Sequence, residues 1–361
     1  MGTSLLTGLV VVIALGFAFT NGFHDAANSV AASIATRAVT TRGALAMAAV
    51  LNLLGALLGT QVALTVGSGI LDVDDVVGVR GLLIAGSALV AALAWNLATW
   101  WKGLPSSSSQ ALIGALAGAG LAGGAHVHWE RLPQIAVGPM VLSPVIGLVA
   151  AWVLTRLLRT WLAAQPYGRT MTRFRLLEAV SSAMMALGHG LQDAQKTMGV
   201  ILLTLVAGGS TGLAAAGAVD SVPLWVRLVS ALALATGTWM GGLRIIRTLG
   251  GEIAPIDASQ GFVAQSVSAV VLYAAAFVGG APVSTTYTAA AAITGAGLAP
   301  RTPDRRRRHA GERRSRPERD PEQQQAGDRA GQRADPPGPH REAAADLARH
   351  RAAAQRARGD L

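Results

Sequence analysis

Two stretches of the chain share one pattern of residues. The first is Asn21-Gly22-Phe23-His24-Asp25-Ala26-Ala27-Asn28-Ser29-Val30, and the second is His189-Gly190-Leu191-Gln192-Asp193-Ala194-Gln195-Lys196-Thr197-Met198. A second pair follows in the same order, Pro105-Ser106-Ser107-Ser108-Ser109-Gln110 and Pro282-Val283-Ser284-Thr285-Thr286-Tyr287. Self-similarity at a nearly constant offset indicates repeated structural units. The sequence therefore predicts two copies of one fold.

The composition is that of a membrane protein. Of the 361 residues, 51% are hydrophobic and only 14% are charged, against about 25% charged in an ordinary soluble domain. The absence of cysteine excludes disulfides, thiolate metal sites and cysteine nucleophiles. The excess of basic residues lies in loops and in the C-terminal tail, without interleaved aromatic residues, which argues against nucleic-acid binding.

Several apolar runs are long enough to cross a bilayer core, which takes about 20 helical residues. They are Leu5–Phe23, Gly43–Val66, Gly81–Trp101, Ile135–Leu158, Leu176–Val206, Pro223–Ile246 and Gln260–Val278. Two shorter runs, Ala111–Ala125 and Ala289–Leu298, each follow a proline and a Ser/Thr cluster. This pattern predicts broken or re-entrant helices.

The basic loops predict the orientation, because Lys and Arg near span ends accumulate on the cytoplasmic side. The loop after the fourth run is decisive, with Arg156, Arg159, Arg169, Arg173 and Arg175. Placing this loop inside puts the N-terminus outside and makes the two halves inverted copies. We therefore expect an all-α polytopic protein of two inverted repeats whose broken helices meet at the midplane of the membrane.

The predicted organisation has four parts. Residues 1–160 form the first repeat, 161–175 a basic cytoplasmic loop, 176–298 an incomplete second repeat, and 299–361 a tail. The last 61 residues contain 16 arginines and 10 acidic residues but no Ile, Val or aromatic residue, so we expect a disordered cytoplasmic tail. The abrupt change in composition suggests either a natural truncation or out-of-frame translation.

Three ionisable residues, Asp25, Asp193 and Lys196, belong to the repeated aspartate motifs, which lie in or next to apolar segments. Such groups are costly in a membrane unless they are paired or face a cavity. Asn28 and Lys196 each follow an aspartate by three residues, so each pair shares a helix face. Asp25 and Asn28 suit a hard cation such as sodium, and Asp25 with His24 suits a proton relay. A purely structural Asp193–Lys196 ion pair is the alternative for the second copy.

The two Ser/Thr clusters place hydroxyl groups at the predicted N-termini of half-helices. Free backbone N–H groups and the positive end of the helix dipole favour an anion there, and hydroxyls donate further hydrogen bonds. Two such termini converging from opposite sides would hold a tetrahedral oxyanion. The alternative is that the clusters only satisfy the backbone around a helix break.

These four motifs resemble those of inorganic phosphate transporters of the PiT type, and the resemblance covers about residues 5–298. It implies a symporter of phosphate with protons or sodium in the cytoplasmic membrane, working by alternating access, and a homodimer in contact with lipid. It assigns phosphate to Ser107, Ser108, Ser109, Ser284, Thr285 and Thr286. It assigns the coupling ion to Asp25, Asn28, Asp193 and Gln195, with accessory roles for His24, Lys196, Gln110 and Tyr287.

The sequence departs from the common pattern of these transporters at four positions. His24 and Gln192 replace asparagines, and Gln110 and Tyr287 replace histidines. A histidine beside Asp25 favours protons as the coupling ion, because imidazole is the side chain that ordinarily changes charge near neutral pH. No cofactor other than this ion is expected. By the same resemblance at least one further membrane helix would follow the second Ser/Thr motif, but the composition after Ala299 does not predict one.

The same motifs are also compatible with other functions. A sulfate symporter of the same superfamily would use the same hydroxyls, since both substrates are tetrahedral oxyanions. A truncated chain could bind the anion without transporting it. Two membrane aspartates also suggest an intramembrane aspartyl protease, but Lys196 opposes the raised carboxyl pKa that such a pair needs. P-loop and common hydrolase motifs are absent, and we therefore expect a transporter and not an enzyme.

Overall fold

The computed structural model describes residues 2–162, 165–209 and 222–299. These ranges are helical, with one isolated β-bridge between Leu71 and Val127. The helices are α1 (Gly2–Ala35), α2 (Thr41–Ala56), α3 (Gln61–Ser68), α4 (Gly78–Lys102), α5 (Ser108–Gly123), α6 (Gly138–Leu162), α7 (Tyr167–Ala207), α8 (Leu224–Met240), α9 (Leu243–Arg247), α10 (Ala258–Phe277) and α11 (Thr285–Leu298). The predicted tail lies outside the described residues.

Within these ranges, four helical segments are long and apolar enough to cross a membrane: α1, α4, α10, and α6 together with the π-helical turn before it (Pro133–Leu162). The bent pairs α2–α3 and α8–α9 add two further candidates, with bends of 71° and 61°. The prediction of an all-α polytopic membrane protein is confirmed. The bends were not predicted; the second follows Gly241, whose φ of +64° no side-chain-bearing residue adopts easily.

The predicted half-helices are present. Ser107 and Ser284 are the N-caps of α5 and α11, and each Oγ accepts a hydrogen bond from the backbone N–H three residues later, at 3.2 and 3.1 Å. A serine in this position satisfies one of the free N–H groups of the first turn. Each serine has an extended backbone and is buried, so both helices begin inside the protein.

Two helices extend beyond the predicted segments. The run Leu5–Phe23 does not end the first helix, because α1 continues to Ala35 and contains the whole first motif. The predicted loop 161–175 is also too long, because α7 begins at Tyr167. The polar residues at the end of α1 are helical and buried against other helices, and the basic residues at the start of α7 are helical and face outward.

The predicted span Leu176–Val206 lies in α7, but α7 is not among the helices apolar enough to cross a membrane by composition. Its second half contains the polar motif His189–Met198, and residues 189–205 are all buried in the protein. Neighbouring helices therefore surround this half of α7, and lipid does not contact it. This explains how a helix of lower hydropathy is accommodated.

The two halves of the chain interlock at paired glycines. A Cβ on Gly22 of α1 would lie 2.1 Å from the backbone oxygen of Leu234 in α8, and one on Gly190 of α7 would lie 2.2 Å from that of Asn52 in α2. Only glycine permits backbones to approach this closely. Each motif glycine thus packs against a helix from the other half, and the aspartate three residues later points into the same interior.

Candidate substrate-binding site

The two motif aspartates and the first turns of both half-helices meet in one buried cluster. Its members, here called the central cluster, are at most 2% exposed: His24, Asp25, Asn28, Ser108, Ser109, His189, Asp193, Lys196, Thr285 and Thr286. They come from four helices, α1, α5, α7 and α11. The sequence repeats therefore converge in space.

Asp25 accepts hydrogen bonds from both half-helices. Ser108 Oγ in α5 donates to Oδ2 at 2.7 Å, and Thr286 Oγ1 in α11 donates to Oδ1 at 3.3 Å. His24 Nδ1 lies 2.6 Å from the same Oδ1, while its Nε2 lies 3.1 Å from Thr99 Oγ1. Asp25 is thus the point at which α1 connects the N-termini of α5 and α11.

Asp193 has a parallel set of partners. Lys196 Nζ donates to Oδ1 at 2.5 Å, Thr285 Oγ1 donates to Oδ2 at 3.3 Å, and His189 Nε2 lies 2.9 Å from Oδ2. Each aspartate therefore contacts one histidine and one threonine of α11.

Lys196 extends beyond this ion pair. Its Nζ also donates to Ser109 Oγ, and to the backbone oxygen of Val283 at 3.1 Å. Ser109 Oγ in turn donates to Val283 O at 2.9 Å. The lysine therefore connects α7 to the first turn of α5 and to the extended segment before α11. An ammonium group at this position supplies positive charge to any anion held between the two half-helices.

The central cluster has one more acid than base when both histidines are neutral. Two carboxylates and one ammonium group are buried together, which leaves one negative charge without a counterion. One ligand atom each of Asp25, His189 and Asp193 lies within 4.8 Å of the others. Asn28 Nδ2 donates to Thr286 and Thr285 at 3.0 and 3.3 Å, whereas its Oδ1 has no partner among the described residues. Carboxylate and amide oxygens so arranged suit a small cation or a proton.

Some of the residues assigned by the resemblance lie away from the central cluster. Gln195 Oε1 accepts from the backbone N–H groups of Val62 and Ala63 at 2.8 and 3.4 Å, and so satisfies the first turn of α3. The side-chain oxygens of Ser107 and Ser284 serve as N-caps. Gln110 and Tyr287 are exposed. The hydroxyls directed to the aspartates and the lysine are those of Ser108, Ser109, Thr285 and Thr286.

Sequence reasoning missed His189 as a site residue. Its Nδ1 lies 3.1 Å from Asn52 Oδ1, and Asn52 Nδ2 donates to Thr238 Oγ1 at 2.8 Å. Asn52 of α2 thus connects α7 to α8 by hydrogen bonds. The signal for His189 was its position four residues before Asp193, which places both on one helix face.

A buried polar cluster at the junction of two half-helices, within a bundle of apolar spans, is the arrangement of a membrane transporter. The sequence profile of the phosphate transporter family matches residues 21–316. The chain belongs to this family.

Relatives agree with this assignment, and a solved structure agrees with the fold. A probable low-affinity inorganic phosphate transporter of Rhizobium meliloti is 43% identical over 302 residues, which are 82% of this chain and 86% of the relative. One of Mycobacterium leprae is 42% identical over 80% of this chain and 68% of its own length. The solved structure of a sodium-dependent phosphate transporter matches with a TM-score of 0.71 at 23% identity, covering 82% of this chain and 90% of that one. That match supports the fold, and the relatives are transporters, not enzymes.

Proposed function

We propose that this chain moves inorganic phosphate across the cytoplasmic membrane as a secondary symporter coupled to protons. The observation that supports this most strongly is the convergence of Ser108 and Ser109 with Thr285 and Thr286 around Asp25, Asp193 and Lys196. Four hydroxyls, two helix N-termini and one ammonium group offer hydrogen-bond donors and positive charge to a tetrahedral oxyanion. The names of the relatives support phosphate as that anion.

The two carboxylates favour phosphate over sulfate. At neutral pH phosphate retains at least one P–OH group, which donates a hydrogen bond to a carboxylate. Sulfate has no such proton, so an aspartate next to it would repel it. The buried carboxylate would also be left without a hydrogen-bond donor, which costs binding free energy. The hydroxyls that donate to Asp25 and Asp193 would exchange these bonds for bonds to the anion, while the P–OH replaces one of the donors to the carboxylate.

The charge of the central cluster favours a coupled cation. Binding an anion beside a site that already has an excess negative charge is costly unless a cation enters with it. His24 and His189 each contact one aspartate, and either imidazole can accept that proton. Sodium is the alternative, with Asn28 Oδ1, Asp25 and Asp193 as ligands.

Alternating access follows from the placement of the site in this proposal. The cluster residues are buried, so an anion enters or leaves only when one half of the bundle moves relative to the other. The order of elements in the first half, a long helix, a bent pair, a long helix and a short capped helix, recurs in the second. We propose that the two halves are inverted, that the N-terminus is external, and that the protein is a homodimer.

Uptake of radiolabelled phosphate into proteoliposomes of the full chain tests this function. We expect uptake with an imposed proton gradient, weak competition by sulfate, and loss of uptake in Asp25→Asn. Uptake driven only by a sodium gradient would show that the coupling ion is sodium and not the proton. Phosphate binding without uptake under either gradient would instead indicate an anion-binding protein that does not transport.

A further inference from the structure

One buried acidic group lies outside the central cluster. Glu178 in α7 is 0% exposed and precedes Asp193 by 15 residues, which is about 22 Å along a helix. Thr36, just beyond the end of α1, donates a hydrogen bond from Oγ1 to Glu178 Oε2 at 2.6 Å. The other oxygen, Oε1, has no hydrogen-bond partner among the described residues.

Glu178 also has no cationic partner. In the described part of the chain, no Lys, Arg or His nitrogen lies within 4.0 Å of its carboxyl group. The charged groups that act on it are Arg175, one turn earlier in α7, and Asp257, the N-cap of α10. Asp257 is itself 4.0 Å from Arg159 of α6. A fully buried carboxylate without a counterion is costly, and binding a proton removes that cost.

The space around Glu178 accommodates a proton better than a metal ion. A Cβ on Gly261 of α10 would lie 1.9 Å from Oε1, so the backbone of α10 is packed directly against this oxygen. Hard cations are held by several oxygen ligands. Thr36 supplies one hydroxyl, and the close backbone at Gly261 leaves no room for a shell of ligands.

Hydroxyl groups lie at intervals between Glu178 and the central cluster, where α1 packs against α7. Ser33 Oγ lies 3.1 Å from Ser182 Oγ, which donates to the backbone oxygen of Ser29 at 2.5 Å. Gln265 Nε2 of α10 also donates to Ser29 O, at 3.0 Å. The next residue toward the cluster is Asn28. The hydroxyls of Ser29, Ser33 and Ser182 each donate to a backbone oxygen in this structure. Since a hydroxyl both donates and accepts, it can pass a proton on once it rotates away from that oxygen or once water lies beside it.

The spacing along both helices places these groups on facing sides. On α1 and just beyond its end, intervals of four, four and three residues separate Asp25, Ser29, Ser33 and Thr36. On α7, Glu178, Ser182, His189 and Asp193 follow at four, seven and four. Residues at such intervals share one helix face. The α1–α7 interface is therefore polar from the central cluster to the end of α1.

We propose that Glu178 is a second proton-binding site of the transport cycle, between the central cluster and the side of the membrane at which α1 ends. This inference rests on the proposed proton coupling. The coupled proton leaves the His–Asp groups of the cluster and crosses the α1–α7 interface on hydroxyls that rotate to accept it or on water between them. It then forms the O–H bond of the Glu178 carboxyl group and is later released to water as hydronium. Phosphate does not contact Glu178.

The variant Glu178→Gln tests the site, because it keeps the shape of the side chain but cannot exchange a proton. Two assays are compared in proteoliposomes. One is net phosphate uptake driven by a pH gradient; the other is exchange of labelled for unlabelled phosphate at equal pH and equal concentration, which needs no net proton transfer. We expect gradient-driven uptake to fall roughly 100-fold and exchange to equal that of the wild type. Ser181→Ala is the matched control, since its hydroxyl only donates to the backbone oxygen of Glu178; both assays should remain at wild-type levels.

Wild-type gradient-driven uptake in Glu178→Gln would overturn the proposal, as would equal losses in both assays by a variant that still binds phosphate. If Glu178→Gln fails to fold, Thr36→Val decides the question. This variant removes the hydrogen-bond donor that favours the charged carboxylate, so Glu178 should keep its proton to higher pH. The pH profile of uptake should therefore move to higher pH, and an unchanged profile would refute the site. If phosphate uptake by the wild-type protein is driven only by sodium, proton coupling is overturned as well. This measurement needs no variant.

Discussion

Ser108, in the first turn of α5, donates a hydrogen bond to Asp25 in the middle of α1, with an Oγ–Oδ2 distance of 2.7 Å. The pair joins the two kinds of repeated motif, since Ser108 belongs to a Ser/Thr cluster and Asp25 to an aspartate motif. The same connection recurs between Thr285 and Asp193 at 3.3 Å. The groups proposed for the anion and for the coupled cation are therefore in direct contact, which gives a physical route for coupling.

Replacing Ser108 with alanine should weaken phosphate binding. Hydrogen bonds to charged groups contribute about 1.5–3 kcal/mol, so we expect the Kd for phosphate to rise about 10- to 100-fold. Isothermal titration calorimetry in detergent measures this. Ser106→Ala is the control, because Ser106 is not a member of the central cluster and its hydroxyl accepts a hydrogen bond from Trp95 Nε1. Equal effects of the two variants would contradict the assignment of Ser108.

Removing the charge of Lys196 should destabilise the protein. Lys196→Met leaves Asp193 buried without its ammonium partner, and breaking a buried pair costs about 3–5 kcal/mol. The double variant Lys196→Met with Asp193→Asn should unfold at higher denaturant than Lys196→Met alone, but should not transport phosphate. Chemical unfolding in detergent gives the comparison. Strictly additive losses would show that the two side chains are not coupled.

Gln195 should matter for α3 and not for the coupling ion. Its oxygen accepts two backbone N–H groups at the start of α3, so Gln195→Ala should cost about 1 kcal/mol of stability. The cation dependence of uptake should match that of the wild type. A changed cation dependence at normal stability would instead restore the coupling-ion role that the resemblance assigned to this residue.

Gly190→Ala should prevent α7 from packing against α2. The added Cβ would lie 2.2 Å from Asn52 O, and backbone atoms cannot move away as a flexible side chain does. We expect a large loss of folded protein on size-exclusion chromatography. Gly16→Ala in α1 is the matched control, since nothing lies within 4 Å of its Cβ position, and it should fold normally. A well-folded Gly190→Ala would show that the helices are less closely packed.

His24→Asn should weaken proton coupling. The change removes the imidazole that lies 2.6 Å from Asp25 and restores the asparagine of the common PiT-type pattern. We expect proton-driven uptake to fall roughly 100-fold and sodium to stimulate uptake. Thr99→Val, which removes the partner of the other ring nitrogen, should have a smaller effect. Unchanged proton-driven uptake would exclude His24 as a proton carrier and leave His189.

Several local features of the fold were predictable from sequence. Hydropathy identified the membrane spans, and a proline followed by serines identified the starts of α5 and α11, because capping depends on neighbouring residues. The spacing of Asp25 and Asn28 predicted a helical motif, but hydropathy did not predict that α1 continues without a break to Ala35. Its polar motif resembles a loop by composition, and only partners on α5, α7 and α11 make it favourable inside a helix bundle.

The sequence by itself determined the membrane class, the family and the repeated motifs, and it predicted the members of the central cluster other than His189. The tertiary structure alone decided that His189 contacts Asp193, that Gln195 faces α3, and that Glu178 is buried against Gly261. These contacts depend on where helices distant in sequence cross, as at Gly22 and Gly190, and on how each helix is rotated about its own axis. A side chain's partners across such a crossing are long-range contacts, which periodicity along one helix cannot specify.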